Sequence, residues 1–364
     1  MMVDADRLRA LGSRLGEAVI DPSQWTTVME LICGAANATG AGLLQSDVRT
    51  PDIPVTEAVA ECFKDYFDQN LHVNDVRAIR GVPLHLSGQS VIADHDIFTS
   101  EREMMRDPLY ACLDRFGIRW WASVGFRSGS ALWGLALQRA IHQGPFDAHE
   151  TKALAQLAPQ LTEAATLSKA VGRQVLLNVT NALHHMMFAA VALDRFGFVI
   201  EANDDAEAVF DNDIRVRSRR LFVRDALAKA ALDALVDQMR TTSDMDALLS
   251  RPIIARRTAK RPVVMRVLPV SGAACSPFLG ARVILALTDL ERQRRTETDL
   301  IIRGFNLTPA EARLASLLAT GMSLEKAAEQ LGIARETARS QIKTIFAKTG
   351  AHRQGELVAL LARL

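Results

Sequence analysis

The sequence predicts a multidomain protein in which two α+β domains precede an all-α domain of four helices. Its 364 residues exceed what one ordinary hydrophobic core organises. Two pairs of β-prone segments, 118–126 with 131–139 and 189–193 with 198–202, are each joined by a turn-like stretch. Residues 307–364 instead alternate amphipathic helical segments with glycine-marked turns.

Composition and charge exclude few functional classes. The chain is 49% hydrophobic and 23% charged, as ordinary globular proteins are. Its net charge of +1 means that any basic surface must be local. We find no signal-peptide pattern and no apolar run of about 18 residues, so we expect a cytoplasmic protein without a membrane span. The cysteines are scattered without metal-ligand spacing, which predicts reduced thiols, no metal site and no cofactor: Cys33, Cys62, Cys112 and Cys275.

Residues 1–170 are the first predicted α+β domain. The hairpin of 118–126 and 131–139 is preceded by alternating helices and shorter strands and followed by a long helix that begins near Asp147. This order resembles the GAF-like and autoinducer-binding-like sensory domains of bacterial regulators. The resemblance implies an antiparallel sheet with helices around it and a site for a small molecule.

Aromatic and acidic side chains of this domain are candidates for a ligand pocket between sheet and helices. The candidates are Tyr66, Phe67, Asp75, Trp120 and Trp133. Aromatic side chains on strands also pack ordinary cores, so this alternative stays open. Adjacent tryptophans on a strand point to opposite faces, so Trp120 and Trp121 do not share one pocket floor. Acyl-homoserine-lactone receptors have a similar tyrosine and aspartate, but Val76 replaces their proline, which argues against a lactone.

Residues 171–290 are the second predicted α+β domain, preceded by a connecting helix. A strand, the turn Asp194–Gly197, a second strand and the helix start at Asn203 resemble the opening of a PAS-like domain. The resemblance implies a second sensory module. The connecting helix either pairs with its twin in a homodimer or packs on its own domain. Residues 291–304 read as a polar linker helix.

Two basic clusters, 214–224 and 251–261, lie within the second domain. Arginines in such runs either reach DNA phosphates or belong to solvated loops and strand edges, where positive charge discourages pairing with other strands. The sequence favours the second interpretation.

The terminal domain, 305–364, begins with a strong helix start. Thr308 caps the helix, Pro309 suits its first position, and Glu311 completes a capping box. At 100° per residue, the third helix, over 335–349, buries one apolar face and leaves a short-chained, cationic face outside. The apolar face consists of Ala338, Ile342, Ile345 and Phe346.

This domain is similar to the LuxR/FixJ-type helix-turn-helix family through LTPAE, Gly321-Met322-Ser323, Leu331-Gly332-Ile333 and Glu336-Thr337. The resemblance implies that bases or phosphates of DNA contact Thr337, Arg339, Ser340, Lys343, Thr344 and Lys348. It also implies a dimer seam on the last helix, through Leu357, Leu360 and Leu361. Ala334 departs from the family where a serine or threonine usually caps the third helix, and Ala338 replaces a valine.

Together these features predict a bacterial transcriptional regulator that binds an inverted-repeat operator as a homodimer and responds to a small-molecule effector. The alternative is a ligand-independent regulator whose N-terminal domains only dimerise or bind a partner protein. We expect no enzyme, because the sequence has no P-loop, no G-x-S-x-G, no H-E-x-x-H and no dinucleotide fingerprint.

Overall fold

The computed structural model describes residues 3–47, 50–241, 251–291 and 298–361. The chain is a mixed α+β protein that divides into two compact units, Met1–Asp289 (unit 1) and Leu290–Leu364 (unit 2). None of the helices within the described ranges has both the length and the hydropathy that a membrane crossing requires.

The first half of unit 1 is built on a four-stranded antiparallel sheet of order β1-β4-β3-β2. Its elements in chain order are α1 Ala5–Arg9, α2 Gly12–Ile20, α3 Gln24–Ala36, β1 Gly40–Gln45, α4 Ala60–Asp68, α5 Val76–Leu86, β2 Val91–Ala93, α6 Asp94–Ile97, α7 Glu101–Met104, α8 Pro108–Asp114, β3 Ile118–Ser128, β4 Ala131–Ala140, α9 Ala148–Leu154 and α10 Leu157–His185. The predicted hairpin is present as β3 and β4.

The two sides of this sheet pack against different helices. Leu135 and Leu137 of β4 point into a core shared with α2, α3 and α10. Trp121 of β3 and Ala136 of β4 point to the opposite face, where α4 and α8 form a separate core. The second face holds the cavity described below.

The second half of unit 1 is a five-stranded antiparallel sheet of order β6-β5-β11-β10-β9, with a separate two-stranded hairpin, β7-β8. Its elements are β5 Ala189–Asp194, β6 Val199–Ala202, α11 Asp204–Glu207, β7 Ile214–Arg217, β8 Arg220–Val223, α12 Ala226–Thr241, β9 Ile253–Ala255, β10 Val263–Pro269 and β11 Ala281–Asp289. The predicted pairing of 189–193 with 198–202 is present as β5 and β6. One face of the sheet packs on α12.

Helix α10 packs on both sheets. Leu161 and Ala165 lie in the first core, whereas Leu176 packs with Ala190 and Ile284 of the second sheet. The predicted boundary between residues 170 and 171 therefore falls inside a continuous helix. Between its two halves, a Cβ added to Gly172 would lie 2.6 Å from the Ala273 carbonyl oxygen, so only glycine permits this close approach.

Buried polar contacts also join the two halves of unit 1. Arg195 Nη1, in the β5–β6 turn, lies 3.2 Å from Asp52 Oδ1, and Arg282 Nε lies 3.7 Å from Asp52 Oδ2. The Asp52 side chain is 1% exposed. Ser168 of α10 bonds to Ser276 at 2.8 Å.

Unit 2 is all-helical, with α13 Thr298–Phe305, α14 Pro309–Ala319, α15 Leu324–Leu331, α16 Arg335–Thr349 and α17 Gln354–Leu361. The Thr308–Glu311 capping box is present, and Ser323 caps α15. Part of the predicted linker 291–304 differs from expectation, because Ile301 of α13 is fully buried in the core of this unit. Residues 292–297 of that linker lie outside the described residues.

We expect Gly172→Ala to destabilise unit 1 by about 1–3 kcal/mol, because its methyl group would collide with the backbone at Ala273. Gly16→Ala is the matched control: it is also helical but has open space around it, so it should stabilise the chain by up to ~1 kcal/mol. Urea unfolding of the full chain measures both. Equal effects of the two substitutions would contradict the close contact.

Candidate ligand cavity and candidate nucleic-acid interface

Helix α16 exposes a polar face because its apolar residues are used inside unit 2. Ala338 and Ile345 are fully buried, and Ile342 and Phe346 pack against the same core. The side of the helix that this packing leaves in solvent is polar and short-chained. It contains the exposed residues Thr337, Arg339, Ser340, Lys343 and Thr344.

The exposed face of α16 is only loosely constrained. Arg339 Nη1 lies 3.0 Å from Glu336 Oε1 in a pair whose side chains are 64% and 82% exposed, a geometry that contributes little free energy. Thr344 Oγ1 donates to the Ser340 carbonyl at 3.3 Å. The N-cap residue Ala334 makes no side-chain hydrogen bond, so the first turn keeps backbone N–H groups without a cap.

Lys348 has a different environment from the rest of the predicted DNA-binding residues. Its Nζ lies 2.8 Å from Glu311 Oε2, and Glu311 also accepts the Thr308 N–H at 2.7 Å. The hydrogen bond from Lys348 and that from Thr308 hold the pKa of Glu311 below its usual value. Lys348 therefore links the end of α16 to the start of α14, and its positive charge is paired with Glu311 within unit 2.

The predicted dimer seam on α17 also needs correction. Leu357 and Leu361 are 0% and 1% exposed because they fill the core of unit 2. Their side chains are therefore not available at the surface. Leu360 is partly buried, and Gly355, Glu356 and Ala359 are the exposed positions of α17.

A cavity of about 60 Å³ lies on the second face of the first sheet, beneath α4 and α5. Small residues of β4, Gly134 and Ala136, form its floor, and a Cβ added to Gly134 would lie 2.7 Å from Ser123 Oγ. Its walls are mostly apolar and include Phe63, Leu109 and Trp121. An apolar lining with a few polar groups is typical of sites that bind small organic molecules.

One end of the cavity is a buried hydrogen-bonded network around Arg77, which is 5% exposed. Arg77 donates to Tyr110 Oη at 2.9 Å, to Gln138 Oε1 at 3.1 Å and to the Arg119 carbonyl at 3.2 Å. Asp94 lies 3.8 Å from the guanidinium.

Asp94 is itself held by two further donors. It accepts the Trp121 N–H at 2.6 Å and the Tyr110 hydroxyl. Burial raises the pKa of Asp94, while the neighbouring Arg77 opposes that rise. The positive and negative charges at this end of the cavity therefore face each other.

Asp75 and Tyr66 complete this end. Asp75 caps α5 by accepting the N–H groups of Arg77 and Ala78, and it accepts the Tyr66 hydroxyl at 2.8 Å. Gln138 uses its carbonyl oxygen for Arg77, and its side-chain NH₂ makes no hydrogen bond to the described residues. This amide is a donor that a ligand in the cavity could use.

The other polar position in the cavity is a histidine–serine pair. His85 Nδ1 lies 2.7 Å from the Gln89 carbonyl and His85 Nε2 lies 3.1 Å from Ser123 Oγ. A carbonyl only accepts, so Nδ1 carries the proton and Nε2 accepts from the Ser123 hydroxyl. Burial lowers the pKa of His85, which keeps this imidazole neutral at pH 7.

The structure brings together only some of the predicted pocket residues. Tyr66 and Asp75 line the cavity. Phe67 packs behind Tyr66, with ring centroids 5.1 Å apart. Trp120 does not line the cavity and donates instead to the Ile141 carbonyl at 3.2 Å. Trp133 borders the cavity, but its ring packs on Phe278 at 5.0 Å in the core on the opposite face.

Sequence reasoning missed the residues that give the cavity its polarity: Arg77, His85, Ser123 and Gln138. A signal for two of them exists. Trp121 and Ser123 are two residues apart on β3, and Gln138 is the cross-strand partner of Trp121, so the three share one face. Nothing in the sequence around Arg77 or His85 points to this face.

No metal-ligand cluster is present among the described residues. The four cysteines are free, and burial raises the pKa of Cys33 and Cys62 to about 12. These two thiols are therefore unreactive at pH 7.

No family model matches the sequence, and no curated protein matches it. Among solved structures, a phage VqmA–DPO complex is 18% identical, with 53% of this chain and 89% of that chain covered, at a TM-score of 0.20. A Vibrio cholerae VqmA dimer without target DNA is 15% identical, with coverages of 50% and 85%, at 0.18. The E. coli DhaR(N)–DhaL complex is 12% identical, with coverages of 78% and 87%, at 0.24. At these TM-scores the similarities assign neither a fold nor a function.

We expect Arg77→Met to destabilise unit 1 by about 3–5 kcal/mol, because it leaves the buried Asp94 without its positive partner. Adding Asp94→Asn should restore part of the loss. Arg80→Met, on the same helix, removes an exposed partner of Glu103 and should cost much less. Urea unfolding compares the three variants, and equal losses from Arg77→Met and Arg80→Met would show that the buried network is not needed.

Proposed function

We propose that this chain is a sequence-specific DNA-binding transcriptional regulator whose unit 2 reads operator DNA through α16. The observation that carries the proposal is the exposed polar face of α16, held outward by the buried side chains of Ala338 and Ile345. Short side chains allow an α-helix to approach base edges in the major groove, and arginine or lysine then reaches guanine or phosphate. The LuxR/FixJ-type sequence landmarks support the same role.

Within this proposal, Arg339, Ser340 and Lys343 face bases, and Thr337 and Thr344 lie beside phosphates. The uncapped start of α16 at Ala334 supports a phosphate contact there, since free N–H groups at a helix start favour an anion. Lys348 is assigned an indirect role, because its ammonium group already binds Glu311.

The regulator is proposed to act as a homodimer on an inverted repeat, with half-sites about one helical turn apart. A seam on α17 would have to use its exposed positions around Gly355 and Ala359, since Leu357 is buried. The proposal places the protein in a bacterial cytoplasm and assigns it no catalytic step.

We further propose that unit 1 senses a small molecule in the cavity of its GAF-like half. Its PAS-like half is supported by the opening hairpin β5–β6, which joins the closing strands β10 and β11 in one sheet. The cavity chemistry favours an uncharged, flat ligand. Arg77 already faces Asp94 and His85 is neutral, so an ionised ligand would be buried without a partner for its charge.

The two polar positions of the cavity set the shape of such a ligand. Gln138 pairs with Trp121, and Ser123 pairs with Ala136, so Gln138 and Ser123 are one two-residue step apart, about 7 Å along the sheet. An aromatic ring with polar groups at opposite edges spans this distance. The ring would lie over Gly134 and Ala136 and beside Trp121.

The DNA proposal is tested by Arg339→Ala combined with Lys343→Ala in the full chain. An operator is first selected from a random duplex library with the wild-type protein. The double variant should lose the specific footprint while its unfolding curve stays unchanged, because both side chains are solvent-exposed. Arg313→Ala, an exposed position on α14, is the control and should keep the footprint. A footprint retained by the double variant would remove α16 from the reading role.

The ligand proposal is tested by thermal shift of the full chain with matched aromatic pairs, such as 4-hydroxybenzamide and 4-hydroxybenzoate. Neutral members should raise Tm more than anionic members, because the cavity offers the carboxylate no free positive charge. Ala136→Leu should abolish the shift by filling the floor, whereas Ala148→Leu on the exposed start of α9 should keep it. Shifts with the acids alone would contradict the preference for an uncharged ligand, and no shift with any member of the panel would favour the ligand-independent alternative.

A further inference from the structure

The β7–β8 hairpin carries four arginines, and none of them forms a salt bridge with the described residues. Arg215, Arg217, Arg219 and Arg220 form what we call the arginine hairpin. The charge of Arg219 opposes the rise that burial causes in the pKa of Asp194. The Asp194 carboxylate itself accepts the N–H groups of Phe196 and Phe198.

Three basic residues nearby are neutralised within unit 1. Arg224 lies 3.3 Å from Asp213, and Lys260 lies 3.1 Å from Asp211. Arg257 is buried between Asp211 and Asp289. These contacts attach the 251–261 segment to the base of the hairpin, so that cluster serves the fold.

The strand register places three of the unpaired arginines on one face. Arg217 is the cross-strand partner of Arg220, and Arg215 is the partner of Phe222. Cross-strand partners point to the same side, as do residues two apart on a strand. Arg215, Arg217 and Arg220 therefore share a face, while Ile214 and Val223 point into the core.

The tip of the hairpin is held in a strained shape. Ser218 and Arg219 form the two-residue turn with φ values of 50° and 60°, a conformation usually taken by asparagine and glycine. Contacts fix it: Val199 N–H donates to the Arg219 carbonyl at 2.6 Å, and Arg220 Nη1 donates to the Phe196 carbonyl at 2.9 Å. Such strain persists only where the surroundings impose it, and it concentrates at functional sites.

Aromatic rings orient the guanidinium groups further. Arg220 lies over the Phe198 ring at 4.3 Å and Arg219 lies at 5.6 Å from the same ring, and Arg215 lies 5.2 Å from the Phe222 ring. A stacked guanidinium keeps its N–H groups at the edge, where they remain able to donate. Arginines arranged in this way suit phosphate oxygens.

We propose that the arginine hairpin binds the phosphate backbone of double-stranded DNA outside the base pairs read by α16. This inference rests on the proposed DNA-binding function and extends it to unit 1. Arg215 and Arg217 are one two-residue step apart, about 7 Å, which matches the rise of two base pairs at ~3.4 Å each. Phosphate contacts add affinity without sequence preference, so the hairpin strengthens binding to every duplex alike.

The test uses the full chain carrying Arg217→Gln with Arg219→Asn. Asparagine tolerates positive φ, so the turn is kept, and neither side chain makes a hydrogen bond that the fold needs. Binding to the selected operator and to a random duplex is measured by fluorescence anisotropy over a range of salt concentrations. The slope of log K against log salt should fall in magnitude by about 1.8, for two lost phosphate contacts, and affinity near 0.1 M salt should fall roughly tenfold or more on both duplexes.

Arg7→Gln with Arg14→Gln is the matched control. It removes the same total charge from exposed arginines on α1 and α2, each paired with a nearby carboxylate, and should leave the slope unchanged. Equal slopes for the hairpin variant and this control overturn the inference while leaving the α16 footprint, and so the proposed function, intact. Absence of duplex binding by the wild type overturns both. Loss of binding to single-stranded RNA or to phosphatidylserine vesicles, with duplex binding retained, overturns the assignment to DNA.

Discussion

The close approach of α10 to the turn at Gly272–Cys275 is the constraint on which unit 1 depends. Gly172 has no side chain, so the Ala273 carbonyl comes within the space that a Cβ would occupy. This contact lets one helix of 29 residues bury its first half on β3 and its second half on the five-stranded sheet. Helix α10 therefore supports both the sheet that forms the cavity floor and the five-stranded sheet of the second half.

Buried charges in unit 1 contribute more to selecting one arrangement of its two sheets than to the free energy of unfolding. Arg77 and Asp94 beside the cavity, and Asp52 with Arg195 and Arg282 between the two halves, are charges removed from water. The free-energy cost of removing such groups from water offsets much of their mutual attraction. Well-packed apolar residues at the same positions would often give a protein of equal stability. Misplaced packing would leave these charges unpaired, which penalises alternative arrangements of the two sheets.

Local signals in the sequence predicted the local structure well. The strand pairs β3–β4 and β5–β6 and the Thr308–Glu311 capping box all depend on neighbouring residues, and the pattern of such residues is visible in one sequence. The contacts that side chains make across the fold were harder to predict. Trp121, and not Trp120, faces the cavity because the β3–β4 pairing runs in one register from Ser128 back to Trp120, and adjacent strand residues point to opposite faces. Leu357 was assigned to a dimer seam by family resemblance, which does not show that its side chain fills the core of unit 2.

The continuity of α10 limits where recombination during evolution could exchange one half of unit 1. Protein families often exchange sensory modules as separate pieces, joined at exposed linkers where few contacts cross. Here the point between residues 170 and 171 lies inside a helix, next to Gly172 and close to the Ser168–Ser276 bond. A recombination there would replace half of helix α10, which packs on both sheets. It would also separate Asp52 from Arg195 and Arg282. The two halves of unit 1 should therefore be inherited as one piece.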